Sequence, residues 1–198
     1  SASAGSHGSI SPSGNSTVNS GSNLTYNITP DACYQISDVL VDGISVGPVS
    51  SYTFTNISAN HSISASFIQQ SFIITATAGT NGSISPAGST SVLCGTNMTF
   101  NISPDPCYTI LDVVVDGISQ GPVNSYTFVN TTAPHTITAS FQQLSYTVTA
   151  TAGPDGSISP SGISNVTCGS GITYSITPNP CYMIQDVLVD GVSQGAIT

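Results

Sequence analysis

Five cysteines, ten asparagines in glycan-acceptor sequons and three copies of an Asp-x-x-x-Asp pair are the residues here whose types and spacing could do chemistry. Cys33, Cys107 and Cys181 stand 74 residues apart, as do Cys94 and Cys168, and Ser20 occupies the position 74 residues before Cys94. Disulfide formation is the chemistry such a set supports. One scheme pairs within units, Cys94 with Cys107 and Cys168 with Cys181, leaving Cys33 alone. The other pairs between units, Cys33 with Cys94 and Cys107 with Cys168, leaving Cys181 for a following unit. A strand over residues 97–102 would rise about 3.3 Å per residue and carry the chain ~20 Å from Cys94 before Cys107. A bridge needs Cα atoms within about 7 Å, which favours pairing between units. Either scheme implies an oxidising compartment, with each bridge contributing about 3–4 kcal/mol through loop closure.

Asparagine offers a second chemistry. Ten of the 13 asparagines lie in Asn-x-Ser/Thr sequons: Asn15, Asn23, Asn27, Asn56, Asn60, Asn81, Asn97, Asn101, Asn130 and Asn165. With 58 Ser and Thr in the chain, chance would place about four there. Asn81 and Asn165 do not occupy equivalent positions, so duplication alone does not account for the excess. These are candidate glycosylation sites; the competing reading is a Ser/Thr-rich composition that carries no glycan.

The remaining polar groups offer little. Asp38 and Asp42, with Asp112/Asp116 and Asp186/Asp190, bring two carboxylates to one strand and its turn, whereas Ca²⁺ takes six or more oxygens. A bulge-supporting Asp and a turn Asp account for them more simply. No His recurs beside Cys or paired Asp at zinc spacing, and no metal or other cofactor is expected. A nucleophile–base–acid set needs distinctive single copies; here every polar feature is copied, so no catalytic residue is proposed and the chain reads as not an enzyme.

The copying defines the elements that must hold these residues. Gly-Ser-Ile-Ser-Pro occurs at residues 8–12, 82–86 and 156–160, and 28 of the 46 residues in 5–50 are identical in 79–124 without a gap. The units run over residues 1–71, 72–145 and 146–198. Both ends fall inside a unit, so the expectation is a portion of a longer chain, or an assembly in which a neighbouring subunit supplies the remaining strands. Within a unit the apolar period is two. Leu24, Tyr26 and Ile28 alternate with polar residues, as do Met98, Phe100 and Ile102, then Ile63, Ala65 and Phe67, and finally Tyr146, Val148, Ala150 and Ala152. Asp42-Gly43 suits a tight hairpin turn. The apolar phase slips between Ile36 and Val39, which a β-bulge or a helical turn near Asp38 would absorb. About six strands per unit and little helix follow. Residues 68–71 and their counterparts form joins too short for independent tumbling. A 74-residue unit of radius of gyration ~11 Å would be roughly 30 Å across and give a rod rising ~30–40 Å per unit.

Composition excludes several classes. There is no Lys, Arg or Trp, and the nine acidic residues give a net charge of −9. Nucleic-acid binding and attraction to anionic membranes both need the missing cations, and internal Lys–Asn cross-links are impossible. No apolar run approaches the ~20 residues of a membrane span.

The elements Asp-Val-x-Val-Asp-Gly at residues 112–117, with Asp-Val-Leu-Val-Asp-Gly at 38–43, and Ala-Ser-Phe at 65–67 and 139–141 sit in a frame spanning residues 74–141. That frame resembles the divergent internalin-type B-repeat, found in tandem on large bacterial and archaeal surface proteins. The resemblance implies a compact all-β, sandwich-like or β-grasp-like module used as spacer, stalk or adhesive segment at the cell surface, without catalytic residues. The expected function is a structural extracellular array, the stalk or fibre shaft of a filament, in contact with neighbouring repeats or copies of itself and coated by glycans. The alternatives are a carbohydrate- or surface-binding adhesin module, which exposed recurring aromatics would favour, and spacer repeats of a secreted multidomain enzyme.

Overall fold

The computed structural model describes residues 1–197, and among them there is no helix. The second repeat is the complete one, and two sheets face each other across its core. The larger has five strands in the order Gly88–Leu93, Ser71–Ala78, His135–Gln143, Tyr108–Val115 and Ile118–Ser119. The smaller has three, Ser125–Phe128, Met98–Pro104 and Gly82–Ser85. All pairings are antiparallel except one: Ser71–Ala78 lies parallel to His135–Gln143, with Ile74 opposite His135 and Ala78 opposite Ala139. That pair brings the opening and closing strands of the repeat together at the centre of the sheet.

Period-two patterning fills the space between the sheets. Ile74, Val113 and Ile137 from the large sheet and Phe100 from the small one are fully buried, each contributing about 1.5–3 kcal/mol on burial. Ile84, Val92, Ile102, Ile110 and Phe128 complete the layer. The first repeat repeats the plan around Ile10, Tyr26, Ile28, Val39, Phe54 and Ile63. Its opening strand is short, Ala2–Ala4, and pairs parallel with Ile63–Gln69 from Ala2 opposite Ile63.

Two local features fix the register of the long central strand. In the first repeat the pairing of Tyr34–Val41 with Ile63–Gln69 shifts between Ile36 and Asp38, and in the second it shifts between Ile110 and Asp112. The phase slip is therefore absorbed by a β-bulge, which moves Val39 and Val113 onto the buried face. The chain then reverses at Asp42-Gly43, with φ values of 50° and 82°, and Val41 pairs with Ile44. Positive φ at both central residues is the condition of the tight hairpin turn.

Three expectations need correction. The complete repeat has eight strands rather than six, because Gly88–Leu93 and the two-residue Ile118–Ser119 also join the ladder. The join is not residues 68–71 but the single residue Gln70, since Ile63–Gln69 and Ser71–Ala78 extend toward each other. In the third repeat Tyr146, Val148 and Ala150 do lie on a strand, Ser145–Ala150, but Ala152 lies beyond it and the apolar side stays open. Tyr146 is 58% and Val148 37% exposed, because this strand pairs only with Gly162–Thr167 and has no parallel neighbour to cover it.

Candidate functional site at the repeat junctions

The two junctions between repeats are built alike. At the first, Cys33 and Cys94 form a disulfide with Cα atoms 5.3 Å apart; at the second, Cys107 and Cys168 do the same at 5.3 Å. Cys33 sits in the turn between Leu24–Pro30 and Tyr34–Val41, with φ of 68°. Cys94 directly follows the edge strand Gly88–Leu93 of the next repeat and is buried. Cys181 is exposed and unbridged.

Hydrogen bonds close the same joint around the bridge. The Gln70 amide donates to the Cys33 carbonyl at 2.8 Å, and the Cys94 amide donates to the Gln70 carbonyl at 2.9 Å. The Gln69 side-chain Nε2 donates to the Cys94 carbonyl at 3.0 Å. Leu144 repeats the backbone pair between Cys107 and Cys168, both at 2.8 Å, and Gln143 repeats the side-chain bond at 3.2 Å. The joining residue is thus held on both sides, leaving it no free backbone group with which to swivel. Sequence reasoning did not single out the glutamines. The signal was present: Gln69 and Gln143 are identical, whereas the residues before and after them differ between the two joins.

All ten sequon asparagines are exposed. They occupy three settings. Asn27 and Asn101 lie mid-strand on the outer face of the small sheet, each flanked by a serine on both neighbouring strands, Ser11 and Ser51 or Ser85 and Ser125. Asn165 sits likewise on Gly162–Thr167. Asn56, Asn81 and Asn130 hold turns with φ between 51° and 71°. Asn23 and Asn97 each accept the amide of Asn56 or Asn130 through Oδ1, a bond that does not engage the amide nitrogen, the atom a glycan would take. Asn15 and Asn60 lie in loops. Thr25 and Thr53 share a hydroxyl bond of 2.8 Å on the same face as Asn27, and Thr99 and Thr127 do so beside Asn101.

The paired carboxylates are not brought together. Asp38 accepts the Ser45 hydroxyl at 2.7 Å and the Val39 amide at 2.8 Å, bracing the bulge. Asp112 and Asp186 accept the equivalent Ser119 and Ser193 hydroxyls, and the Gly121 and Gly195 amides. Asp42 instead accepts His61 Nδ1 at 2.7 Å and the Ser62 amide at 2.7 Å. Asp116 accepts His135 Nδ1 at 2.6 Å and the Thr136 amide at 2.7 Å. The bond from His61, then that from Ser62, holds the Asp42 carboxyl below its ordinary value. At Asp116 partial burial pushes upward and is outweighed by the Thr136 amide and His135, so the net direction is again down. Each His ring stacks on a core aromatic, His61 on Phe54 and His135 on Phe128, with centroids 4.8 Å apart in both. His7 stacks on Tyr34 at 4.0 Å. These contacts lock a hairpin turn to the start of the closing strand. No group of three or more metal-ligating side chains gathers among the described residues. Among the same residues there is no helix long and apolar enough to cross a membrane.

A family model described as the divergent InlB B-repeat domain matches residues 1–71 and again residues 72–145. No curated protein matches the chain, and no solved structure matches it.

Proposed function

Because the chain belongs to the divergent InlB B-repeat family, we propose that it is a load-bearing segment of an extracellular surface array, the shaft of a stalk or fibre, and that it catalyses nothing. The observation that carries this reading is the doubly held joint: one linking residue, three hydrogen bonds and a disulfide at each junction. A spacer that only separates domains has no need of a covalent staple across every join. Two disulfides formed between repeats support an oxidising, extracellular setting. The polar groups that sequence chemistry would nominate for a site are spent on holding turns and bulges. Ten exposed sequons support a glycan coat on the uncharged Ser/Thr face.

Electron microscopy of native material tests the reading. Continuous fibres or stalks with an axial rise of about 30–40 Å per repeat and extra density at the sequon asparagines are the expected result. Isolated, freely jointed beads would sink it.

A further inference from the structure

In the first repeat the exposed ring of His7 lies on Tyr34 with the two planes only 4° from parallel. The residue 74 positions on from His7 is Asn81, and the one 74 positions on from Tyr34 is Tyr108. The backbone around the two pairs is the same. His7 and Asn81 have φ values of 73° and 71°. Their carbonyls accept the Asp31 and Asp105 amides, both at 3.0 Å. The carbonyls of those aspartates in turn accept the Tyr34 and Tyr108 amides, again at 3.0 Å. A side chain at residue 81 therefore sets out along the path that carries His7 over its tyrosine, but asparagine is too short to cover the ring. Tyr108 is half-buried and Asn81 exposed. Of the three equivalent residues, His7, Asn81 and Asp155, Asn81 alone opens a sequon, Asn81-Gly82-Ser83. Its Nδ2 donates to Thr80 Oγ1 at 3.4 Å, and a glycosylated amide nitrogen keeps one hydrogen for that bond.

We propose that Asn81 carries an N-linked glycan whose first sugar, a pyranose, packs its C–H face on the Tyr108 ring, in the place that His7 takes over Tyr34. The face of an aromatic ring is negative, and the C–H groups of a pyranose face carry the complementary partial charge. The turn that bears Asn81 is already held by its hydrogen bonds, so little further order is lost when the sugar settles. Tyr108 directly follows Cys107 and stands opposite Gln143, the two residues that hold Cys168 at the second joint. The sugar is thus a brace beside the joint, where a glycan on Asn27 or Asn101 only covers an outer face. This inference rests on the glycan coat of the proposed function and makes one of its ten sequons a structural part.

Mass spectrometry of native material first reads occupancy at Asn81, Asn27 and Asn101. The 198-residue chain, secreted from an N-glycosylating host, then gives the contact. Asn81→Asp, which installs the third repeat's residue, should lower the melting point by about 2–4 °C. Tyr108→Leu should lower it too, and the double variant should fall short of the sum, because both changes remove one contact. Tyr108→Phe keeps the ring and should keep the coupling. In chains made with glycosylation blocked, the two losses should add. Nuclear magnetic resonance reads the same contact without a variant, so a misfolded Tyr108→Leu leaves the test intact. Ring protons of the Asn81 sugar should be shifted upfield by the tyrosine, and those of the Asn101 sugar should not. Additive losses in the glycosylated chain, or no upfield shift, overturn the proposal and leave the coat standing. A bare Asn81 beside occupied Asn27 and Asn101 does the same, whereas bare asparagine at all three sinks coat and brace together.

Discussion

The phenyl ring of Phe141 lies flat against the backbone of Gly82, so close that a Cβ on that glycine would stand 2.3 Å from the ring. Phe67 meets Gly8 in the same way in the first repeat. Two of the recurring strings of the sequence, Gly-Ser-Ile-Ser-Pro and Ala-Ser-Phe, are therefore the two sides of one contact, where the small sheet closes on the large one. Gly82→Ala should destabilise the second repeat by roughly 1–3 kcal/mol through overpacking. Gly153→Ala, where a Cβ meets nothing, should stay within about 0.5 kcal/mol. Urea melts of the two variants check this, and equal melts would remove the contact from the account of the motif.

Thiol titration gives a second expectation. The native chain should react as one thiol, Cys181, and as five after unfolding and reduction. Cys33→Ser with Cys94→Ser should cost about 3–4 kcal/mol of stability, the loop-closure contribution of one bridge. More than one reactive thiol in the folded, unreduced chain would contradict the pairing.

Thr131 is 1% exposed and its hydroxyl is buried without a hydrogen-bond partner. The equivalent residue of the first repeat is Ile57. Thr131→Val keeps the shape and removes the stranded hydroxyl, so the melting point should rise, by about 1 kcal/mol of stability. A fall would show that the hydroxyl is satisfied in solution.

The carboxyls of Asp42 and Asp116 are held below the ordinary 3.8 in the folded chain. Their contribution is therefore complete above pH 3.8 and lost as pH falls through their lower folded values. Thermal melts between about pH 5 and 2 should show this acid loss, and Asp42→Asn with Asp116→Asn should flatten it. An unchanged slope would mean that the His61 and His135 bonds do not survive in solution.

Glycan occupancy can be read directly by mass spectrometry of native material digested with non-specific proteases, since this sequence offers no Lys or Arg to trypsin. Asn27 and Asn101, mid-strand and open, should carry glycan, and enzymatic release in heavy-oxygen water should mark them as Asp. Unmodified asparagine at both would leave the sequons as composition alone.

Much of this architecture was legible in the residues, and the reason is locality. The alternation of Met98, Phe100 and Ile102 names the buried face because side chains in a strand alternate by geometry. The slip between Ile36 and Val39 announces a bulge, and Asp42-Gly43 announces its hairpin. What escaped is set by residues far apart in the chain. The parallel pairing of Ile74 with His135 joins positions 61 residues apart and leaves no periodic mark. Gly88–Leu93 becomes a strand only because Ser71–Ala78 offers it an edge. At the junction, the cysteine spacing pointed to the place, while the part played by Gln70 depends on two carbonyl and amide groups that any residue would bring. Tyr146 and Val148 carry the pattern of a half-buried strand, yet burial also needs a neighbour, and the third repeat provides none.

The bridges have a further consequence, for survival after damage. Cys33–Cys94 and Cys107–Cys168 each close a ring of chain, and the rings follow one another without overlapping. A protease that cuts anywhere between residues 33 and 94 opens a ring and leaves both fragments tethered. Between the two rings, the stretch from residue 95 to 106 is a single thread on which their connection depends. Its core is Met98–Pro104, the middle strand of the small sheet, flanked on both sides by Gly82–Ser85 and Ser125–Phe128. The thread that joins the two rings thus runs for most of its length as a strand held on both edges, and a protease that needs an extended, unpaired backbone must first peel it from its neighbours.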